Sequence, residues 1–306
     1  MESNFQVEKF SFASPADGTM LQAVAYLPES PKAIVQVVHG MCEYIERYDH
    51  VLAFLAKNGY IACGYDHRGH GGSAPSKDLL GYFGEDTKGR AIVQDAVAFT
   101  KLMKGKYPAL PVYLYGHSMG SMVSLCYLQE SDAEIDKLIL SGCPCRNPVA
   151  GIAVFLAKVV ALFKGEKHRS KLLKFLSMGG YEKAFPEEGK LGWLSNDSAV
   201  TARYAQDDFC NFTFTVNGFE NLFSLLKNTY DKKAYKVKNP SLPILFVAGS
   251  DDPVIGDEES WKKEQAFLKE LGYEKVSGKL YEDIRHEPQN DIKKEELFAD
   301  LLAFLA

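Results

Sequence analysis

The chain has 306 residues, of which 46% are hydrophobic and 25% are charged, and its formal net charge is −5 at pH 7. This hydrophobic fraction supports a substantial core, and the length suits one α/β domain that carries an insertion. The acidic balance provides no basic field of the kind that attracts nucleic acid, so we exclude nucleic-acid partners.

The predicted elements alternate between strand and helix along most of the chain. Two apolar runs, residues 10–13 and 21–26, flank Asp17-Gly18 and predict a β-hairpin. The elements that follow are predicted as strands at 33–38, 61–65, 112–115, 138–140, 244–248 and 279–281, and as helices at 48–57, 90–104, 259–271, 291–305 and after 118. Such alternation indicates the α/β class, a mostly parallel doubly wound sheet whose functional site lies at the carboxyl ends of the strands.

The alternation fails between about residues 144 and 240. This segment has helical periodicity, is rich in Phe and Leu, and returns to a strand only after Asn239-Pro240. We therefore expect a core formed by residues 1–143 and 241–306, with residues 144–240 inserted as a helical cap over the strand ends.

Cysteine usage and apolar runs bear on the cellular compartment. The six cysteines are scattered without C-x-x-C pairs or metal-type spacing, and residues 1–6 do not resemble a secretory signal. We expect free thiols and a cytoplasmic protein. The longest apolar run, residues 149–163, is interrupted by Lys158 and is shorter than the ~20 residues that a membrane-spanning helix needs.

The segment Gly116-His117-Ser118-Met119-Gly120 directly follows the predicted strand at 112–115 and precedes an apolar, helix-like run at 121–128. A serine between two glycines at a strand-to-helix turn is typical of a nucleophile elbow, because side chains two positions before and after would collide with the tight turn. We predict that Ser118 is a catalytic nucleophile.

A serine nucleophile needs a base and an acid that orients the base. His286 is the best-placed base, since it lies in the loop between the last predicted strand and the last helix. The strand at 244–248 leads into Asp251 and Asp252, and spacing alone leaves both open as the acid. The remaining histidines have structural interpretations, as loop braces for His39, His67, His70 and His117 and as solvated side chains for His50 and His168.

An oxyanion hole is the third requirement, and removal of one of its donors typically costs about 3 kcal/mol. One donor is expected from the residue after the nucleophile, Met119. The second is expected from the loop after the strand at 33–38, where His39-Gly40-Met41 places the N–H of Met41. Histidines or further carboxylates are missing at ligand spacing from the two aspartates, so we expect no metal and no cofactor.

Two further stretches carry a family resemblance. Residues 39–48 resemble the pattern H-G-x-x-E-[HY]-x-x-R-Y, and residues 281–287 resemble Y-E-G-x-x-H-E, with Asp283 in place of the glycine. With the serine motif, they make nearly the whole chain resemble the monoacylglycerol lipase and lysophospholipase family of α/β-hydrolases. The resemblance implies Asp252 as the acid, and it implies hydrolysis of monoacylglycerol or lysophospholipid esters.

The same resemblance suggests Glu43 and Arg47 for the polar end of the substrate, although a plain salt bridge that holds the loop is an equal alternative. Two cap segments also resemble bacterial lysophospholipases, with Asn196 and Asp208 in place of the usual Arg and Pro. We expect an acyl channel lined mostly by apolar side chains. Its candidate lining residues are His117, Phe155, Trp193 and Phe209.

Basic residues interleave with Leu and Phe over residues 158–176 in an otherwise acidic chain. This pattern suggests peripheral contact with anionic lipid, with a solvated face over the cap core as the alternative.

For the function of the chain, the alternatives are a short-chain or aryl carboxylesterase, a serine aminopeptidase of the same fold and a catalytically silent binding protein. The sequence makes no prediction about oligomeric state.

Overall fold

One sheet dominates the computed structural model, which describes residues 4–85 and 88–306. Its strands are β1 Phe5–Ala13, β2 Met20–Pro28, β3 Ala33–Val38, β4 Tyr60–Tyr65, β5 Val112–His117, β6 Lys137–Ser141, β7 Ile244–Gly249 and β8 Val276–Tyr281. The spatial order is β1-β2-β4-β3-β5-β6-β7-β8, with β1 and β2 antiparallel and β3 to β8 mutually parallel. The predicted hairpin and mostly parallel sheet are confirmed.

The central strands are buried along their whole length, as expected of parallel strands covered by helices on both faces. Strand β5 extends two residues beyond the predicted end, because Gly116 and His117 continue the pairing with Leu140 and Ser141 of β6. The nucleophile motif therefore begins inside the sheet, and Ser118 is the first residue beyond its edge.

Helices cover the faces of the sheet and fill the inserted segment. They are α1 Asp49–Lys57, α2 Arg90–Lys106, α3 Met119–Ser131, α4 Ala150–Lys164, α5 Lys171–Met178, α6 Ser198–Gln206, α7 Val216–Thr229, α8 Glu258–Leu271 and α9 Lys294–Leu305. The last helix starts three residues later than predicted, because the Asp291 carboxylate instead accepts backbone N–H groups of Asn196 and Arg285 at 3.1 and 3.0 Å. No helix in the described part of the chain is long and apolar enough to cross a bilayer.

The inserted segment leaves the sheet after β6 and returns at β7, and these two strands are paired neighbours. Its longest helices, α4 and α7, pack on each other, and α7 also contacts α3 of the sheet layer. This arrangement supports the proposed division into a core of residues 1–143 and 241–306 and a helical cap of residues 144–240.

Candidate active site

The turn at Ser118 has the backbone of a nucleophile elbow. Ser118 lies between β5 and α3 with φ 53° and ψ −118°, a conformation that residues other than glycine rarely adopt. A Cβ on Gly120 would lie 1.9 Å from the carbonyl oxygen of Val38, and a Cβ on Gly116 would lie 2.5 Å from Oγ of Ser124. Both glycines are therefore needed for the close approach of the turn to its neighbours.

The structure brings Ser118, His286 and Asp252 together in one hydrogen-bonded chain. Nε2 of His286 lies 2.8 Å from Oγ of Ser118, and Nδ1 lies 2.9 Å from Oδ2 of Asp252. Ser118 follows β5, Asp252 follows β7 and His286 follows β8. The carboxyl ends of these strands meet at one edge of the sheet. This is the geometry of a nucleophile, a base and an orienting acid.

The choice between the two aspartates is resolved by their surroundings. Asp252 is buried, and its second carboxylate oxygen accepts the N–H of Val254 at 2.9 Å. Asp251 is exposed, and its carboxylate accepts the hydroxyl of Ser250 at 3.1 Å. Only Asp252 contacts His286.

The electrostatics of His286 suit a base. Burial by itself would lower the pKa of this imidazole, but the negative charge and hydrogen bond of Asp252 outweigh burial and raise the pKa above its ordinary value of 6.5. The ring of Trp193 lies 5.0 Å from the His286 ring, and the backbone oxygen of Trp193 accepts the N–H of His286 at 3.3 Å. The cap thus holds the base from one side.

The two predicted oxyanion donors lie beside the nucleophile. Met41 and Met119 line the same cavity as Ser118. Met119 is the first residue of α3, where N–H groups have no partner within the helix. Within residues 4–85 and 88–306, the backbone N–H groups of Met41 and Met119 donate to no acceptor, so they are available to a substrate oxygen.

A buried charged cluster forms one wall of the site. Arg47 donates to Glu43 at 2.8 Å and to both carboxylate oxygens of Glu287 at 2.9 Å. Glu43 also accepts the hydroxyl of Tyr48 at 2.8 Å and the backbone N–H of Gly40. Arg47 does not line the cavity around Ser118, whereas Glu43 and Glu287 do. The salt-bridge interpretation of Glu43 and Arg47 therefore describes the observed contacts.

The pKa values of the two carboxylates in the cluster shift in opposite directions. Burial raises the pKa of Glu43 to about 6, with the charge of Arg47 opposing this shift. Burial would likewise raise the pKa of Glu287, but its bidentate bond with Arg47 lowers that pKa to about 2. Glu287 is thus the fixed negative partner of Arg47, and Glu43 is the more easily protonated carboxylate that faces the substrate.

The cavity around Ser118 has a volume of about 360 Å³. Its polar end is formed by Glu43, His117, Ser118 and His286, and Trp193 lies beside them. The rest is mostly apolar and comes from the cap, with Ile152, Ala153, Leu156, Leu176, Met178 and Leu222 among the lining residues. Such a cavity suits an apolar chain attached to a small polar group.

Two predicted lining residues are not in this cavity. Phe155 is 64% exposed on the outer face of α4, whereas Ala153 and Leu156 of the same helix line the cavity and Ile152, 60% exposed, lies at its mouth. Phe209 packs on Tyr44 with ring centroids 5.6 Å apart, away from the cavity. The prediction that Phe155 and Phe209 line the substrate site is therefore wrong.

The histidines predicted as loop braces contact loop backbone, and His50, predicted as a solvated side chain, also bonds the carbonyl oxygen of Gln289 at 2.9 Å. Nε2 of His39 accepts the N–H of His67 at 2.9 Å, and Nδ1 of His70 lies 3.0 Å from the carbonyl of Arg68. His117 combines both predicted roles, because its Nδ1 lies 3.2 Å from Oγ of Ser141 and its ring lines the cavity. In the described part of the chain, no group of three or more His, Cys, Asp or Glu side chains is arranged to hold a metal ion.

Sequence reasoning missed Tyr204 and Glu287 as residues of the site. Tyr204 lines the cavity, and the guanidinium of Arg47 lies 4.9 Å from its ring centroid. For Glu287 a signal was present, because it is the last residue of the stretch that resembles Y-E-G-x-x-H-E. For Tyr204 a signal was also present, because it is the first residue of the cap segment, residues 204–210, that resembles bacterial lysophospholipases.

Comparison with known proteins places this geometry in a family. A family model described as serine aminopeptidase, S33, matches residues 29–293. A monoacylglycerol lipase of Mycolicibacterium smegmatis is 25% identical over 276 residues, which are 90% of this chain and 88% of the relative. A monoglyceride lipase homolog of monkeypox virus is 37% identical over 214 residues, 69% of each chain.

A solved structure has nearly the same fold. It is that of a thermostable carboxyl esterase from Bacillus coagulans in complex with glycerol, with a TM-score of 0.88 and 28% identity, and the match covers 98% of this chain and 97% of that chain. The resemblance to monoacylglycerol lipases and lysophospholipases is confirmed. The chain belongs to the α/β-hydrolase family whose model is described as serine aminopeptidase, S33.

Proposed function

We propose that this protein is a serine hydrolase that cleaves carboxylic esters of lipid-like substrates, monoacylglycerol or lysophospholipid, through an acyl-enzyme on Ser118. The observation that carries the proposal is the hydrogen-bonded chain from Ser118 through His286 to Asp252, which opens into a mostly apolar cavity. The relatives named as monoacylglycerol and monoglyceride lipases support an ester of this kind.

In the first half of the reaction, Nε2 of His286 takes the proton from Oγ of Ser118 as the oxygen attacks the ester carbonyl. The N–H groups of Met41 and Met119 bind the negative oxygen of the tetrahedral intermediate. The intermediate collapses, and the protonated His286 donates its proton to the departing alcohol. Asp252 keeps the imidazole in the required tautomer and stabilises its positive form.

In the second half, a water molecule takes the place of the alcohol. His286 removes a proton from this water as it attacks the acyl-enzyme, and the same two N–H groups bind the oxyanion again. Collapse of the second intermediate returns the proton to Oγ of Ser118 and releases the fatty acid.

The substrate is oriented by the division of the cavity into apolar and polar ends. We place the acyl chain against Leu156, Met178 and Leu222 of the cap, and we place the alcohol end near Glu43 and His117. The related carboxyl esterase from Bacillus coagulans was solved in complex with glycerol, the alcohol that hydrolysis of a monoacylglycerol releases. The alternative of a short-chain or aryl carboxylesterase uses the same chemistry with a shorter acyl group.

An aminopeptidase is disfavoured by the charges of the site. Such an enzyme needs a free carboxylate for the α-ammonium group of its substrate. The carboxylates that face the cavity, Glu43 and Glu287, are both bonded to Arg47. The silent-binding alternative is disfavoured because the triad is hydrogen-bonded and both oxyanion N–H groups have no protein partner within the described residues.

We also propose that the cap contacts lipid through an exposed apolar face. Its members are 44–80% exposed side chains of the cap, namely Val149, Ile152, Phe155, Leu162, Phe163, Leu172, Phe175 and Leu176. Three of them, Val149, Ile152 and Leu176, also line the Ser118 cavity, so the mouth of the cavity lies at this face. Lysines of α4 and α5 lie in the same segment and attract anionic lipid.

Lipid contact is tested by sedimentation with vesicles that contain anionic lipid. The variant Leu162→Ser/Phe163→Ser should lose most of the bound fraction. Ile292→Ser is the matched control, because Ile292 is 59% exposed and lies outside the cap. Equal binding by all three proteins would contradict the contact without affecting the proposed chemistry.

We also propose that the protein is cytoplasmic, and this proposal is supported by six cysteines without disulfides.

The chemistry is tested with a panel of para-nitrophenyl esters from acetate to palmitate, together with monoacylglycerol and lysophosphatidylcholine. The proposal expects hydrolysis of the long-chain lipids, abolished in Ser118→Ala. A preference for acetate would favour the carboxylesterase alternative.

A further inference from the structure

A second cavity lies beside the charged cluster, with Arg47 among its lining residues. Its volume is about 410 Å³, and it is bounded by the first turn of α1, by α6 and by the start of α9. The two cavities meet at Tyr204, which lines both, and Arg47 lines the second while bonding to Glu43 and Glu287 of the first. Asn290 also lines it and donates to Glu287 at 2.8 Å.

The lining of the second cavity is mainly basic. Arg47, His50, Arg203 and Lys294 line it, against one acidic residue, Asp207. The charge of Arg47 is matched by its two glutamates. By contrast, the side chains of Arg203 and Lys294 have no hydrogen-bond or ion-pair partner within residues 4–85 and 88–306.

The single carboxylate does not neutralise these two cations. Asp207 accepts the hydroxyl of Tyr44 at 2.9 Å and the backbone N–H of Phe209 at 2.8 Å. His50 carries no negative charge, and its Nε2 already donates to the carbonyl oxygen of Gln289 at 2.9 Å. The pocket therefore presents two unpaired cations on α6 and α9 that face a polar space.

We propose that this second cavity binds a phosphate group, with Arg203 and Lys294 as its charged ligands. Two positive side chains from different helices suit a phosphate, because charge-assisted hydrogen bonds to its oxygens are about twice as strong as neutral ones. A carboxylate or a neutral head group would accept fewer hydrogen bonds from Arg203 and Lys294 than a phosphate does. The phosphate is that of a lysophospholipid head group or a free phosphate ion, and the first of these rests on the proposed esterase function.

The head-group source is tested by substrate preference. The kcat/KM for an oleoyl lysophosphatidic acid is divided by that for the monoacylglycerol with the same chain, both in neutral detergent micelles. Arg203→Gln/Lys294→Gln should lower this ratio at least tenfold. The control Lys57→Gln/Lys269→Gln removes the same charge from two exposed lysines of α1 and α8 and should change the ratio less than twofold.

The free-phosphate source is tested by calorimetric titration of the same three proteins with inorganic phosphate. Binding at about 1 mM or tighter by wild type and the control, but not by Arg203→Gln/Lys294→Gln, supports the site independently of ester hydrolysis. Loss of phosphate binding with an unchanged ratio identifies a free ion as the ligand. An unchanged ratio together with unchanged or absent phosphate binding overturns the proposal.

The two proposals fail in different ways. If no ester is hydrolysed, the esterase proposal fails while the phosphate titration still reports on the second cavity. If monoacylglycerol is hydrolysed but neither readout responds to Arg203→Gln/Lys294→Gln, only the phosphate site fails. Equal unfolding midpoints for all proteins exclude loss of the fold as the cause.

Discussion

The guanidinium of Arg285 donates to both carboxylate oxygens of Glu188, each at 2.6 Å, and so joins the cap to the residue that precedes His286. The same guanidinium donates to the carbonyl of Gly192 at 2.6 Å and lies 3.8 Å from the ring centroid of Phe185. The Arg285 side chain is only 7% exposed, whereas the Glu188 side chain is 50% exposed, so the ion pair lies at the protein surface with its guanidinium held inside. The cap is thus part of the structure that holds His286.

Loss of this contact is expected to slow catalysis. Arg285→Ala should lower kcat by about tenfold because the His286 loop loses its anchor, whereas KM should change less, since Arg285 does not line the substrate cavity. Glu188→Gln should have a smaller effect, because the bond to Gly192 remains. Steady-state kinetics on one long-chain ester gives both constants. A normal kcat for Arg285→Ala would show that the loop is held without this contact.

The pH dependence of kcat/KM should report His286, because the base acts only when neutral. Burial opposes the shift, but Asp252 raises the pKa of His286 above 6.5, so activity should fall as the pH drops through a value above 6.5. Asp252→Asn removes the negative charge and should move this acidic limb to lower pH. It should also lower kcat by about 10⁴-fold, because the tautomer is no longer enforced.

The neighbouring aspartate provides the control for this prediction. Asp251→Asn should leave the pH profile and kcat within about twofold of wild type, since Asp251 is exposed and does not contact His286. The assignment of the acid would be contradicted by a larger loss in Asp251→Asn than in Asp252→Asn.

Arg47 should matter strongly for stability. It is the shared partner of two buried carboxylates, and removal of one partner from a buried ion pair costs about 3–5 kcal/mol. Arg47→Ala should lower the free energy of unfolding by this amount in a urea titration at pH 7. Arg203→Ala, on an exposed position of α6, should change it by less than about 0.5 kcal/mol. Similar values for the two variants would contradict the cluster's role.

Of two adjacent residues of α4, only Leu156 should control the preference for acyl chain length. Leu156→Trp adds volume inside the cavity of 360 Å³ and should lower kcat/KM for palmitoyl esters at least tenfold, with acetate little affected. Phe155→Trp should leave the chain-length profile unchanged, because Phe155 lies on the outer face. The profile is measured with para-nitrophenyl esters of two to sixteen carbons. A greater change in Phe155→Trp would reverse the assignment of the two faces.

Ser118 and Asp252 could be predicted because they follow buried parallel strands with a clear apolar pattern, although the choice of Asp252 over Asp251 came from the family resemblance. His286 could be predicted from its place in the loop before the last helix, since its own strand, β8, is largely exposed. The inner face of α4 could not be predicted in this way. Helix α4 is apolar nearly all round, so periodicity does not separate Leu156 in the cavity from Phe155 in solvent. Arg47 was expected in the site, but its bond to Glu287 joins residues 240 positions apart and leaves no local signal.

The central claim is that Ser118 forms an acyl-enzyme with a lipid ester, and the most direct measurement is mass spectrometry of the protein quenched during turnover of a monoacylglycerol. We expect a mass increase of one acyl group that maps to Ser118, and we expect neither this adduct nor hydrolysis in Ser118→Ala. Hydrolysis that persists in the folded Ser118→Ala protein, or an acyl group on another residue, would contradict it.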